Sequence, residues 1–293
     1  MDFATFCDTI RANLQEKLGK NVTIRPHSAL KNNNIMLQGL SIMKQECNIA
    51  PLIYLNYFYD AYKRGKPLSE IEAELFVQYQ ELRQTQSLDM SFFTDWNQVK
   101  ERVIFRLVSY ERNKELLKNI PHIPFLDLAI IFYVFLGTVS SDTAVIPLQN
   151  HCLELWNLSL DELYQTALQN TPCLLKPVLH RMSDFLNANL GDDVSAGFDH
   201  GVPIYILTNE YSANGAGCIL YKDLLKTYAE QLECDFYVLP SSIHETLLVP
   251  CAHGSKEELS AIVKSINATQ VSKEEILSYH VYCYSRENNR ILL

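Results

Sequence analysis

The sequence predicts an α+β protein, and three observations carry that prediction. Helix-forming stretches open on capping boxes at Ser69–Glu72, Ser159–Glu162 and Ser255–Glu258. Between them stand runs rich in Val, Ile, Tyr and Phe, too short for buried helices and bounded by Pro, Gly and Asn. From Pro203 the two kinds alternate as strand, helix, strand, strand, helix, strand, a ferredoxin-like order over about residues 203–285. The expectation is an N-terminal helix/β-hairpin module, residues 1–120, followed by a mixed α/β domain, residues 121–293.

The N-terminal module opens with an amphipathic helix carrying Phe3, Phe6, Ile10, Leu14 and Leu18 at helical spacing. Val22–Leu30 and Ile35–Lys44 read as a hairpin joined by Lys31–Asn34, because Asn tolerates the left-handed backbone of a tight turn. Ile49–Leu55 adds a third short strand. Asn56–Arg64, with Tyr57, Phe58 and Tyr62, is a short helix stopped by Gly65. The helix opened by Ser69 has Leu68, Ile71, Leu75, Tyr79 and Leu82 on one face. Thr94-Asp95 caps a second helix to about Glu101, and Val103–Tyr110 is a strand. Ile120–Pro124, with two prolines, reads as the junction between domains.

In the second domain, Leu126–Leu136 is apolar except for Asp127 and reads as a central strand, with Ala144–Leu148 as its partner. The Ser159 helix is expected to stop before Pro172, Pro177–Leu190 to be helical, and Gly191–Gly201 to be a loop. Ile204–Leu207 is a strand and Ala216–Leu232 a helix. Phe236–Leu239 and Thr246–Val249 are paired strands ended by Pro240 and Pro250. A helix with Leu259, Ile262, Val263 and Ile266 inward and a last strand, Val281–Tyr284, complete the chain.

Composition narrows the function classes. The chain has 293 residues, 47% of them apolar, and a net charge of −9, which disfavours non-specific binding to nucleic acid or anionic membranes. The stretch Lys100–Lys118 carries six Lys/Arg against three Glu and reads as a solvated face laced with ion pairs. No apolar run approaches the ~20 residues of a membrane helix. The eight cysteines form no CxxC pair and read as reduced thiols of a cytoplasmic protein.

The densest chemistry lies between the paired strands, where Ser241, Ser242, His244 and Glu245 place two hydroxyls, an imidazole and a carboxylate together. A serine hydrolase would use Ser241 or Ser242 as nucleophile and His244 as base, yet the GxSxG elbow is absent. His244-Glu245 is half of an HExxH metal motif, but Leu248 occupies the second histidine position and the segment reads as strand, so no metal is expected. Gly215 and Gly217 open the helix after a strand, with Thr208 and Asn209 at that strand's end, the context for an anion at a helix N-terminus. Leu220 stands where a dinucleotide fingerprint needs its third glycine, so no such cofactor is expected. His244 is expected to be partly buried, tying the turn to Thr208 or Asn209.

The segments NIAPLIYLNYFY, YERNKELLKNIPHIPFLDLAIIFY, HCLELWNLSLDELY and DFYVLPSSIHETLLVP resemble an uncharacterised bacterial family catalogued as a domain of unknown function, number 5688. The resemblance covers nearly the whole chain, and from Leu126 onward the sequence is also similar to a second, more distant bacterial family. It implies a cytoplasmic bacterial protein and carries over no activity, cofactor or catalytic residue. With no complete catalytic constellation, the residues favour binding or regulation, with a protein or a small molecule as partner; a hydrolase or anion-binding enzyme built on Ser241–Glu245 is the alternative.

Overall fold

A computed structural model describes residues 1–48, 50–82, 89–139, 142–184 and 203–293. The chain divides into two units, residues 1–31 with 35–91, and residues 32–34 with 92–293. The expected loop Gly191–Gly201 and the end of the Pro177–Leu190 stretch lie outside the described residues.

In the first unit, α1 (Phe3–Leu18) starts where the Asp2 carboxylate accepts the Thr5 N–H at 2.8 Å, a bond that also holds the Asp2 carboxyl below its ordinary pKa. Its buried Phe6, Ile10 and Leu14 pack with a three-stranded antiparallel sheet, β1 (Val22–Leu30), β2 (Met36–Lys44) and β3 (Leu52–Tyr54). Helices α2 (Asn56–Lys63) and α3 (Leu68–Leu82) complete the layer, the latter through Ile71, Leu75 and Tyr79. Leu82, expected inward, is exposed. Helix α3 begins at Leu68 with the Pro67 carbonyl accepting from Glu70 and Ile71, so Ser69 sits inside the first turn and not at the expected cap. Tyr59 and Tyr62 pack on Phe6 with ring centroids 5.3 and 5.6 Å away, so much of the aromatic content of this module is core.

The second unit holds two antiparallel sheets. In the smaller, β6 (Leu128–Val139) pairs with β4 (Val103–Ser109) along one edge and with β5 (His122–Phe125) and β7 (Asp142–Pro147) along the other. The proline segment expected to separate domains is therefore strand β5, inside this unit. Pro124 pairs opposite Ala129 on a strand that ends one edge, where a missing N–H is tolerated. Short helices α4 (Trp96–Val99), capped by Asp95, and α5 (Lys114–Leu117) flank β4. Helices α6 (Asn150–Trp156) and α7 (Leu160–Leu174) follow, the second opened by the Ser159–Glu162 capping box. Helix α7 runs through Pro172 and ends two residues later, so the proline removes only a bond from the last turn.

The larger sheet has six strands in the order β13, β12, β10, β11, β9, β8. They are β8 (Pro177–Arg181), β9 (Tyr205–Asn209), β10 (Phe236–Leu239), β11 (Thr246–Pro250), β12 (Tyr282–Ser285) and β13 (Arg290–Leu292). Strand β8 replaces the helix expected from Pro177. Its ladder with β9, from Pro177 opposite Asn209 to Arg181 opposite Tyr205, outweighs the weak helical spacing. The expected helix over Ala216–Leu232 divides into a 3-10 turn, Gly215–Leu220, and α8 (Leu224–Gln231), with Asp223 in the left-handed region at φ 57° between them.

Along the chain the expected order holds: β9, α8, β10, β11, α9 (Lys256–Thr269), β12. In space it departs from the ferredoxin-like arrangement, which orders those strands fourth, first, third, second with both helices on one face. Here the order is fourth, second, third, first, with β8 and β13 added outside. Both crossovers run in the same direction across the sheet from antiparallel strands, so right-handed connections place the helices on opposite faces. Phe236, Val238, Leu248, Tyr282 and Tyr284 accordingly pack with Leu225 and Ala229 of α8, while Leu239, Val249, Tyr237 and Leu247 pack with Leu259 and Val263 of α9. Ile262, expected inward, is half exposed, and Asn267 takes the inward position on the next turn of α9.

Candidate functional site

Strands β10 and β11 pair antiparallel, as expected, with Phe236 opposite Pro250 to Leu239 opposite Leu247, which leaves residues 240–245 outside the ladder. The backbone of this turn is held on both sides. Pro240 and Ser241 carbonyls accept from Ser278 and Leu277 at 2.9 and 3.0 Å, and the Ile243 N–H donates to the Glu275 carbonyl at 2.9 Å. On the other side, the His244 carbonyl accepts both the Thr208 hydroxyl and the Gly215 N–H at 2.8 Å, and the Ile243 carbonyl accepts from Ala216 at 3.2 Å.

These bonds decide what several candidate residues can do. The Gly215 and Ala216 amides that would cradle an anion are spent on the turn, and Gly215–Ile219 is fully buried. A Cβ on Gly215 would stand 2.3 Å from the Thr208 hydroxyl and 2.7 Å from the Asn209 nitrogen and the His244 carbonyl oxygen, so the glycine permits close backbone approach. Gly217 lies against the Phe105 ring. Asn209 closes its own turn, accepting from Tyr211 at 3.0 Å and donating to the Ala213 carbonyl at 2.8 Å.

The imidazole is equally committed. His244 Nδ1 accepts the Asn214 N–H at 3.3 Å, which puts the proton of the neutral ring on Nε2, 3.4 Å from Glu275 Oε1. No lone pair is left to take a proton from a serine. The Ser242 hydroxyl instead accepts the His244 backbone N–H at 3.0 Å, and Ser241 and Ser242 are both buried.

Three of the candidates do converge. Thr208, Ser241 and Glu245 share the wall of a cavity of about 380 Å³ on the α9 face of the six-stranded sheet. Apolar side chains, Met182, Ile206, Leu247, Ile266 and Val271, make up much of the rest, with His180, Ser212 and Gln270 at polar positions. The alternation of β8 and β9 explains the set: His180 pairs opposite Ile206, and Thr208 follows two residues on, all on one face. Glu245 is half-buried here. Burial raises its carboxyl pKa, against the opposing pull of the neighbouring His244 and a Ser242 hydroxyl bond, and Glu275 adds a further upward push.

The basic stretch and the lone acid of the apolar run have structural partners. In the basic stretch, Lys114 and Lys118 pair with Glu111 and Glu115 at 2.6 and 2.7 Å, and Arg106 and Arg112 lie over the rings of Tyr133 and Tyr279. Asp127, the one polar residue in the apolar run before β6, accepts the Ser278 hydroxyl at 2.7 Å and the Tyr282 hydroxyl. Among the described residues, no three His, Cys, Asp or Glu side chains are grouped to hold a metal ion, and no helix is long and apolar enough to cross a membrane. All eight cysteines are free thiols.

A profile described as "Family of unknown function (DUF5688)" matches residues 3–286. No curated protein and no solved structure matches the chain.

Proposed function

Since the chain belongs to that family of unknown function, its role is to be argued from its own geometry, and we propose that it is a binding protein whose ligand occupies the cavity at Glu245. The observation that carries this reading is a half-buried carboxylate set in a largely apolar wall that it shares with Thr208 and Ser241. The volume, about 380 Å³, suits a small molecule with an apolar body. A hydrogen-bond donor or a cationic group on that molecule would meet Glu245, and the hydroxyls of Thr208 and Ser241 would orient it. A cytoplasmic bacterial setting agrees with eight free thiols.

Binding is favoured over hydrolysis because the His244 lone pair is taken by Asn214, which leaves Ser241 and Ser242 without an imidazole base. Acid–base catalysis by Glu245 is the second reading, since its raised pKa is a property such catalysts share. A thermal-shift screen of small apolar amines and alcohols against the intact protein tests the proposal. Hits whose stabilisation disappears in Ile266→Trp, which fills the cavity, and weakens in Glu245→Gln support it. Hits indifferent to both substitutions, or none at all, refute it.

A further inference from the structure

The polar chemistry of the Glu245 cavity is one-sided. Glu245 is half-buried, yet among the described residues it is in no ion pair. The adjacent imidazole, His244, turns its Nε2 towards Glu275 at 3.4 Å, and no Lys or Arg lines the cavity. A carboxylate taken out of water without a cation bears the cost of its charge alone, which is why burial raises its pKa. On the same wall Ser241 is only 8% exposed, and its hydroxyl has no hydrogen-bond partner among the described residues. Unlike the sealed Thr246 hydroxyl, that oxygen keeps accessible surface, so a molecule in the cavity reaches it. Thr208 brings no competing donor, because its hydroxyl proton is committed to the His244 carbonyl at 2.8 Å.

We propose, resting on the reading of this cavity as a ligand site, that its ligand is a primary amine bound as the ammonium and carrying an apolar chain or ring. The ammonium donates to the Glu245 carboxylate and to the Ser241 oxygen, and the apolar part lies on Ile206, Leu247, Ile266 and Val271. An anion is repelled by Glu245 and by Glu275, whose charge Glu245 already feels. An alcohol reaches the same oxygens but leaves the charge of the carboxylate unmatched. A quaternary ammonium brings the charge without the N–H groups. A primary ammonium supplies both.

Titration calorimetry of the intact protein at neutral pH tests this with n-hexylamine and benzylamine against n-hexanol, benzyl alcohol and trimethylhexylammonium. At least one amine is expected to bind with a Kd of about 1 mM or tighter, and the alcohols and the quaternary ion at least about tenfold more weakly. Glu245→Gln, which keeps the shape and removes the charge, should weaken the amine about tenfold or more and change the alcohols less than about twofold. Ser241→Ala should weaken the amine about threefold or more. Melting transitions of the variants establish that each is folded. An alcohol or the quaternary ion binding as tightly as the amine, or an amine indifferent to either substitution, overturns the amine assignment and leaves the cavity standing as a ligand site. Absence of amine binding also overturns it. Binding that survives Ile266→Trp puts the ligand outside the cavity and overturns both readings.

Discussion

The Thr208 hydroxyl donates to the His244 carbonyl oxygen at 2.8 Å, and this bond, with the Gly215 N–H on the same oxygen, pins the turn before β11 to the end of β9. Sequence reasoning expected the imidazole to make that tie; the backbone carbonyl makes it, while the ring reaches Asn214 and Glu275. Thr208→Val should therefore cost about 1 kcal/mol, and Thr208→Ser much less. His244→Ala should cost a similar amount through the Asn214 N–H it abandons. Urea unfolding midpoints of the three variants give the comparison, and a midpoint unchanged in Thr208→Val would remove the tie from the account.

Gly215→Ala should be among the most damaging single-methyl changes in the second unit. The added carbon would fall within 2.7 Å of two backbone atoms, the Asn209 nitrogen and the His244 oxygen, and neither can rotate away. Overpacking of this kind costs about 1–3 kcal/mol. Circular dichroism melts of Gly215→Ala against Gly217→Ala provide the contrast, because the latter meets only the edge of the Phe105 ring at 3.2 Å. Equal losses in the two would count against the close approach.

Glu245 makes stability depend on pH in a defined direction. Burial raises its carboxyl above the ordinary value of 4.5, so the folded state holds the proton more tightly than the unfolded chain. Its contribution is fully present below the unfolded value and is lost as pH rises through the folded value. Glu245→Gln should thus raise the melting temperature at pH 7 and leave it nearly unchanged at pH 4. A variant less stable than the parent at pH 7 would reverse the sign and refute the assignment.

The thiols should separate by accessibility. Cys173 is exposed, whereas burial pushes Cys218 up to about 12 and Cys251 up to about 12. A thiol reagent at neutral pH should label Cys173 first and Cys218 only on unfolding, when all eight react. Mass spectrometry of partial labelling reads this order, and early modification of Cys218 would contradict its burial.

Much of the local structure was legible because its causes are local. Ser159 and Ser255 open their helices through bonds to Glu162 and Glu258 that lie three residues away, and Phe236–Leu239 and Thr246–Val249 are apolar runs that a short turn brings into register. The Ser241–Glu245 turn was legible for the same reason, as an accumulation of polar side chains between strands. What misled was competition from afar. Pro177–Arg181 carries a spacing compatible with a helix, and only the ladder offered by β9 makes it a strand.

Local pattern alone specifies the α+β class, the positions of most strands and helices, and the crowding of Ser241, Ser242, His244 and Glu245 into one turn. Which of these side chains share a cavity, and that the helices cover opposite faces of the larger sheet, follows from the fold in three dimensions. Strand order and crossover direction depend on contacts between residues far apart in the chain, which no local pattern records. Asp127 and Tyr282 show the same limit: a lone acid in an apolar run and a tyrosine far along the chain have no visible relation until the fold brings their oxygens together.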